Sequence, residues 1–205
     1  MTRQNRVTPR SGIIAAPGRG LLMGNRGCLH DGAGQIVRNW RGLLWIACQT
    51  DFRGRRRALM QPGRYTELFF LDEAVAFAAG HRPCAECRRK DYEAFRAAWV
   101  RAGLPAVAGA ADLDRHLHMA RLPFDRPLPL SDLAALPDGA FVCVDGLDCL
   151  WSSGKLRPWR VDGYAPALPL PASTVVRVLT PEPFLRVLAA GYRPILHPTA
   201  GQGQS

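Results

Sequence analysis

Two cysteines three residues apart, Cys84 and Cys87, stand in the segment GHRPCAEC between two helix-forming stretches. A Cys-x-x-Cys turn puts both thiolates on one concave loop, where they can share a tetrahedral ion at about 2.3 Å each. The flanking Arg82, Arg88 and Arg89 stabilise thiolate charge. A thioredoxin-like redox pair would begin a helix after a parallel strand, whereas this knuckle lies between two helices. The spacing therefore points to zinc as cofactor, with plain packing of two small thiols as the competing reading. A structural zinc site needs four donors, so two more must come from elsewhere. Cys48 is the leading candidate, because it ends the apolar run LLWIAC (43–48) where a strand would deliver it to a sheet edge. His30, beside the turn HDGAG (30–34), comes next, and Cys28 would share its strand face, so either can serve. A buried apolar strand cysteine competes as the role of Cys48, and an exposed turn position as the role of His30. His81 either packs against the knuckle or donates a hydrogen bond to it.

The pattern around the knuckle predicts an α+β fold. Residues 1–20 read as a basic arm ending in Gly-rich PGRG. The β-like segments 21–29, 34–52 and 57–70, broken by turn signals, predict an antiparallel β-meander that zinc would stabilise. A helix then starts at Asp72, which can cap it, and stops at Gly80. A second helix covers 88–103, with Tyr92, Phe95, Trp99 and Val100 at helical spacing. ADLDRHLHMARL (111–122) predicts a third. This region, 21–122, is followed by a Pro-rich linker at 123–130 and a small β-rich C-terminal part at 131–198 with DG and SG hairpin turns. Within that part, Thr180 and Pro181 start a last helix that Gly191 ends. The tail 199–205 reads as disordered. AFAAGHRPC (76–84) and VLAAGYRPI (187–195) echo each other, and a shared helix stop accounts for the likeness.

The segment ELFFLDEAVAFAAGHRPCAECRRKD (67–91) resembles the zinc-binding module of the bacterial Ada alkylation-repair proteins. In that family an extended segment and a short helix lead into a Gly-aromatic-Arg-Pro-Cys-x-x-Cys knuckle. The resemblance covers about 25 of the 205 residues. It implies that Cys84 and Cys87 are zinc thiolates and that Arg82 and Pro83 shape the knuckle. The family carries its other two cysteines as a close upstream pair, one of which accepts a methyl group from DNA. Here Cys48 alone lies in the comparable region, which puts methyl acceptance in doubt. The chain taken whole looks like a family of bacterial proteins.

Net charge is +10, but only two of the 27 basic Lys and Arg residues are lysines, a bias that a GC-rich genome produces by itself. Clustering is the better signal. RGRRR (53–57), with Arg55, Arg56 and Arg57, joins Arg64, Arg88, Arg89 and Lys90 in a candidate DNA- or RNA-binding face, with Trp40, Trp45 and Tyr65 available to stack on bases. The competing reading is a solvated turn and core aromatics. His116 and His118 form an HxH pattern near Asp112 and Asp114, but positions i and i+2 of a helix face different sides. The polar start offers no signal peptide and no run of about 18 apolar residues occurs, so a cytoplasmic protein with no membrane partner is expected. There, six cysteines read as metal ligands or buried hydrophobes, not as a disulfide framework. The leading expectation is a zinc module that contacts nucleic acid through the arginine face. The alternatives are a hydrolase or nuclease using His116, His118 or an open zinc position, and a protein-binding adaptor without chemistry.

Overall fold

The computed structural model describes residues 2–54, 58–121, 126–170 and 175–201. Helix α1 (Glu73–Ala78) is the centre of the molecule, and every one of its residues is buried. Only an apolar helix can be enclosed on all sides, and AVAFA supplies that. Its one charged residue, Glu73, needs partners.

On one side of α1 lies a six-stranded mixed sheet. It contains β1 (Gln4–Val7), β2 (Ile13–Ala15), β3 (Leu22–Asn25), β4 (Ile46–Gln49), β5 (Leu68–Phe70) and β6 (Arg82–Pro83), in the order β2-β1-β5-β3-β4-β6. The expected sequential meander is not what forms. β3 lies between β5 and β4 and is antiparallel to both, while β1–β5 and β4–β6 pair in parallel. Long loops separate β3, β4 and β5, and the paired strand segments are three or four residues long. The N-terminal segment also differs from the expected arm. Val7 is buried in the core, and the Asn5 side chain donates to the Glu67 carbonyl at 2.9 Å, fixing β1 beside β5. QNRV contains a single apolar residue, so no alternation announces that strand.

On the other side lies the second six-stranded sheet, antiparallel throughout. It is built from β7 (Arg126–Pro129), β8 (Ala140–Val144), β9 (Leu147–Ser152), β10 (Lys155–Arg160), β11 (Gly163–Tyr164) and β12 (Val175–Val178), in the order β11-β10-β9-β8-β12-β7. The expected DG and SG turns connect β8–β9 and β9–β10. Asp145 and Gly146 both have positive φ (49° and 83°), as do Ser153 and Gly154 (51° and 70°), which matches the twist of a tight hairpin. Part of the expected linker, Arg126–Pro129, is an edge strand paired with β12. Its prolines sit where a missing N–H costs least. One buried cluster draws on both sheets and on α1, including Leu22, Leu68, Phe70, Val75, Phe141, Leu150 and Tyr164.

Helices α2 (Arg89–Arg101), α3 (Ala110–Ala120) and α4 (Glu182–Ala189) pack around Phe77 through Phe95, Trp99, Leu117 and Phe184. α1 and α4 end by the same device. Gly80 and Gly191 have φ of 82° and 96°, and the next amide donates five residues back, His81 to Ala76 and Tyr192 to Val187. The sequence echo is thus accounted for by a repeated helix stop. No helix of the described residues is long and apolar enough to cross a membrane.

The start of α1 ties the halves together. Asp72 caps the helix by accepting from Val75 N at 3.0 Å, and its other oxygen accepts from Tyr164 Oη at 2.8 Å and His197 N at 3.0 Å. Glu73 accepts from Tyr192 Oη and Ile195 N, both at 2.9 Å. Arg88 Nη2 lies 2.7 Å from Glu73 Oε1, an ion pair without the alignment of a hydrogen bond. Asp72→Ala removes the cap and strands two further donors. It should lower unfolding free energy by about 3 kcal/mol or more, read as a shifted midpoint in chemical denaturation with the slope unchanged.

His81 is fully buried against Trp45 and Phe70, with ring centroids 5.2 and 4.7 Å away, and among the described residues neither ring nitrogen meets hydrogen-bond geometry. Burial, with Arg26 and Arg121 nearby, holds it neutral, well below its ordinary value of 6.5. The unfolded chain therefore binds a proton that the folded chain refuses. Stability should fall as pH falls below about 6.5, by about 1.4 kcal/mol per pH unit from this residue. Burial raises the Asp72 and Glu73 carboxyls, which acts in the opposite sense and is lost as pH rises. The difference between wild type and His81→Phe across pH 5–7 isolates the histidine: as pH falls, wild type should lose stability relative to the variant.

Candidate metal centre

The strand β4 and the knuckle are brought together by backbone pairing. β6 runs parallel to β4 with Ala47 opposite Pro83, and Cys84 N donates to Ala47 O at 2.9 Å. That pairing places Cys48 beside the knuckle. The Sγ atoms of Cys48, Cys84 and Cys87 all lie within 4.8 Å of one another, a grouping that could hold a metal ion. Cys48 and Cys84 are buried, while Cys87 is half-buried.

Backbone amides support the sulfurs. Glu86 N donates to Cys84 Sγ and Gln49 N to Cys87 Sγ, both at 3.4 Å. Three thiols this close cannot all carry charge without a cation. Hydrogen bonds from Cys48 and Cys87, with the Glu86 amide, favour Cys84 as the thiolate and draw it well down, while hydrogen bonding with Cys84 and Cys87 pushes Cys48 up. A soft divalent ion would relieve this competition by accepting all three as thiolates.

The knuckle is braced from behind. Arg82 Nε and Nη2 meet both Asp114 carboxylate oxygens at 2.8 Å, and its Nη1 donates to Pro83 O at 2.9 Å. Its guanidinium carbon sits 5.2 Å from the Tyr92 ring centroid. Arg82 thus locks the knuckle against α2 and α3, and the role of Asp114 in this pair was not legible in the sequence.

The sulfurs open onto a cleft of about 710 Å³. Arg19, Asn25, Phe52, Tyr65, Glu67 and Phe69 are among the residues that complete its wall. Glu67 is buried and accepts from Met60 N at 2.7 Å. Arg19 lies over Phe69, 5.5 Å from its centroid. The sequence offered no signal for Glu67, because it precedes the apolar run LFFL with no patterned partner.

The other expected ligands lie apart. His30 does not join the cysteines: its Nδ1 is 2.7 Å from Thr66 Oγ1 and its Nε2 is 3.2 Å from Gln61 O, so the ring pins two loops. Cys28 Sγ contacts His30 O at 3.7 Å. No fourth histidine, cysteine or carboxylate joins the three sulfurs among the described residues. His116 faces Trp99 while His118 faces Trp40 and Trp45, so the two imidazoles diverge as their spacing implies. Asp114 is held by Arg82, and Asp112 pairs with Arg115 at 2.7 Å.

The expected arginine face is also redistributed. Arg88 is buried between Glu73 and Asp91, at 2.7 and 2.9 Å, and is therefore a structural cation that cannot contact a phosphate. Arg89 is exposed and pairs with Glu93 at 2.6 Å, and Lys90 is exposed. Arg55, Arg56 and Arg57 lie outside the described residues. Of the candidate stacking rings, Trp45 is buried, Tyr65 faces the cleft and Trp40 is 43% exposed.

In comparisons with known proteins the chain matches no family model, no curated protein and no solved structure.

Proposed function

We propose that Cys48, Cys84 and Cys87 hold zinc and that the fourth coordination position faces the cleft, where it serves a bound substrate in hydrolytic chemistry. The observation that carries this reading is a three-sulfur grouping set in the wall of the 710 Å³ cleft, joined by no fourth histidine, cysteine or carboxylate among the described residues. Three protein ligands and one open position are what distinguish working zinc sites from structural ones. The amides of Gln49 and Glu86 supply the outer contacts that thiolate ligands need. When bound, zinc would polarise a substrate oxygen or lower the pKa of a water. Glu67 is the cleft carboxylate that would carry a proton to or from the substrate, held in place by the Met60 amide. Phe52, Tyr65 and Phe69 suit a substrate with a planar ring.

The purified chain should carry about one zinc ion, and Cys84→Ser should lose it together with much of its stability. Cobalt substitution then separates an open site from a closed one. The visible bands of the cobalt form should shift on adding cyanide. Bands that ignore every small ligand would mean a closed structural site and would remove the hydrolytic reading.

A second reading, nucleic-acid contact, draws support from the net charge of +10 and from Arg19, Phe52 and Arg53 at or beside the cleft. Joint substitution of Arg55, Arg56 and Arg57 by Ala should weaken oligonucleotide binding and flatten its salt dependence with little effect on melting temperature. Binding that is unaltered in this variant excludes the arginine run as the contact surface.

A further inference from the structure

A second recess, about 290 Å³, shares no lining residue with the cysteine cleft. Arg10, Arg26, Trp40, Trp45, His118 and Arg121 form its wall. Arg26 and Arg121 are each only 1% exposed, and their guanidinium carbons sit 4.8 and 4.5 Å from the centroid of the same Trp45 ring.

What these arginines bond to is the decisive point. Arg26 donates to the hydroxyl and the carbonyl of Ser11, and Arg121 to the carbonyls of Gly80 and Leu43 at 2.9 and 3.0 Å. Every one of these acceptors is neutral. Among the described residues Arg26 Nε, Arg121 Nη2 and His118 Nδ1 have no hydrogen-bond partner. Among the described residues no carboxylate comes within ion-pair distance of either guanidinium. Asp114 acts on Arg121 from a distance but is held at both oxygens by Arg82. Arg82 and Arg88 are comparably buried, yet each has its own carboxylate.

Buried charge without a counter-charge is costly, and proteins that keep it supply a partner or take one from solution. Burial lowers Arg26 to about 10 and Arg121 to about 9. Arg10, on the same wall, shares its charge with Asp148 at 2.7 Å. The recess therefore presents two guanidiniums and one imidazole. That set matches a doubly charged oxyanion better than a single carboxylate, because planar guanidinium forks meet tetrahedral oxygens in pairs. Its volume suits a phosphate with a small attached group and is below that of most drug-sized ligand sites. Trp40, 43% exposed and edge-on to His118 at 4.9 Å, stands at the mouth.

We propose that this recess binds a phosphate group through Arg26, Arg121 and His118, and that Trp40 stacks on a planar ring attached to it. The site is independent of the cysteine cleft and of any metal held there.

Calorimetric titration of the full chain with inorganic phosphate, a nucleoside 5′-monophosphate and the matching nucleoside tests the proposal. The monophosphate should bind, inorganic phosphate should compete with it, and the nucleoside should not bind. His118→Ala and Arg121→Gln should each weaken monophosphate binding by roughly tenfold or more. Trp40→Ala should weaken the monophosphate and leave inorganic phosphate unchanged. If Trp40→Ala instead binds the monophosphate as tightly as wild type, the oxyanion site stands for free phosphate and the stacking role is rejected. Thermal melting checks that each variant folds. Should Arg121→Gln fail to fold, the half-buried His118 and exposed Trp40 variants carry the test. No binding of either phosphate ligand at millimolar concentration overturns the proposal, as does unchanged binding in folded His118→Ala.

Discussion

Two adjacent buried carboxylates, Asp72 and Glu73, are the point on which the rest of the structure depends. They sit at the start of a helix enclosed between two sheets, where an unpaired carboxylate would cost several kcal/mol. Their partners come from the helix itself, through Val75, and from three other stretches of chain: Arg88 from the knuckle, Tyr164 from β11, and Tyr192, Ile195 and His197 from the segment after α4. The pair therefore satisfies the helix start and also decides which surfaces of the two sheets face each other. Apolar burial supplies most of the driving force, but it is not directional. The carboxylates select one arrangement from the many that would bury the same area.

The local grammar of the chain was readable where chemistry acts over a few residues. Asp72 as a cap, Gly80 and Gly191 as stops, the DG and SG hairpins, and the amphipathic face through Tyr92, Phe95 and Trp99 all follow from short-range rules, although Val100, expected on that face, is 72% exposed. What could not be read was pairing at a distance. β1 pairs with β5 across about sixty residues, and β3 lies between two strands instead of beside its predecessor. Strands of three or four residues carry too little alternation to reveal this. The same limit explains His30, whose partners Thr66 and Gln61 come from a loop that only the fold brings near.

Within the cysteine site, the knuckle was legible because its two thiols are close in sequence. Cys48 was legible because the end of an apolar strand is where a lone cysteine can reach a neighbour. The cleft was not legible. It is assembled from Arg19, Asn25, Phe52, Tyr65 and Glu67, residues of separate loops and strands that no spacing rule connects. Likewise Arg88 looked like one more surface cation in a basic run, and only the enclosure of Glu73 reveals it as the counter-charge of the central helix.

That last pairing bears on the order of events during synthesis. Arg88 follows directly on the knuckle, and the carboxylate it neutralises also requires Tyr192 and Ile195, which are made about a hundred residues later. Until that segment is made, Glu73 lacks two of the three groups that meet it in the folded chain, so the full set of contacts around the knuckle's neighbour Arg88 requires nearly the whole sequence.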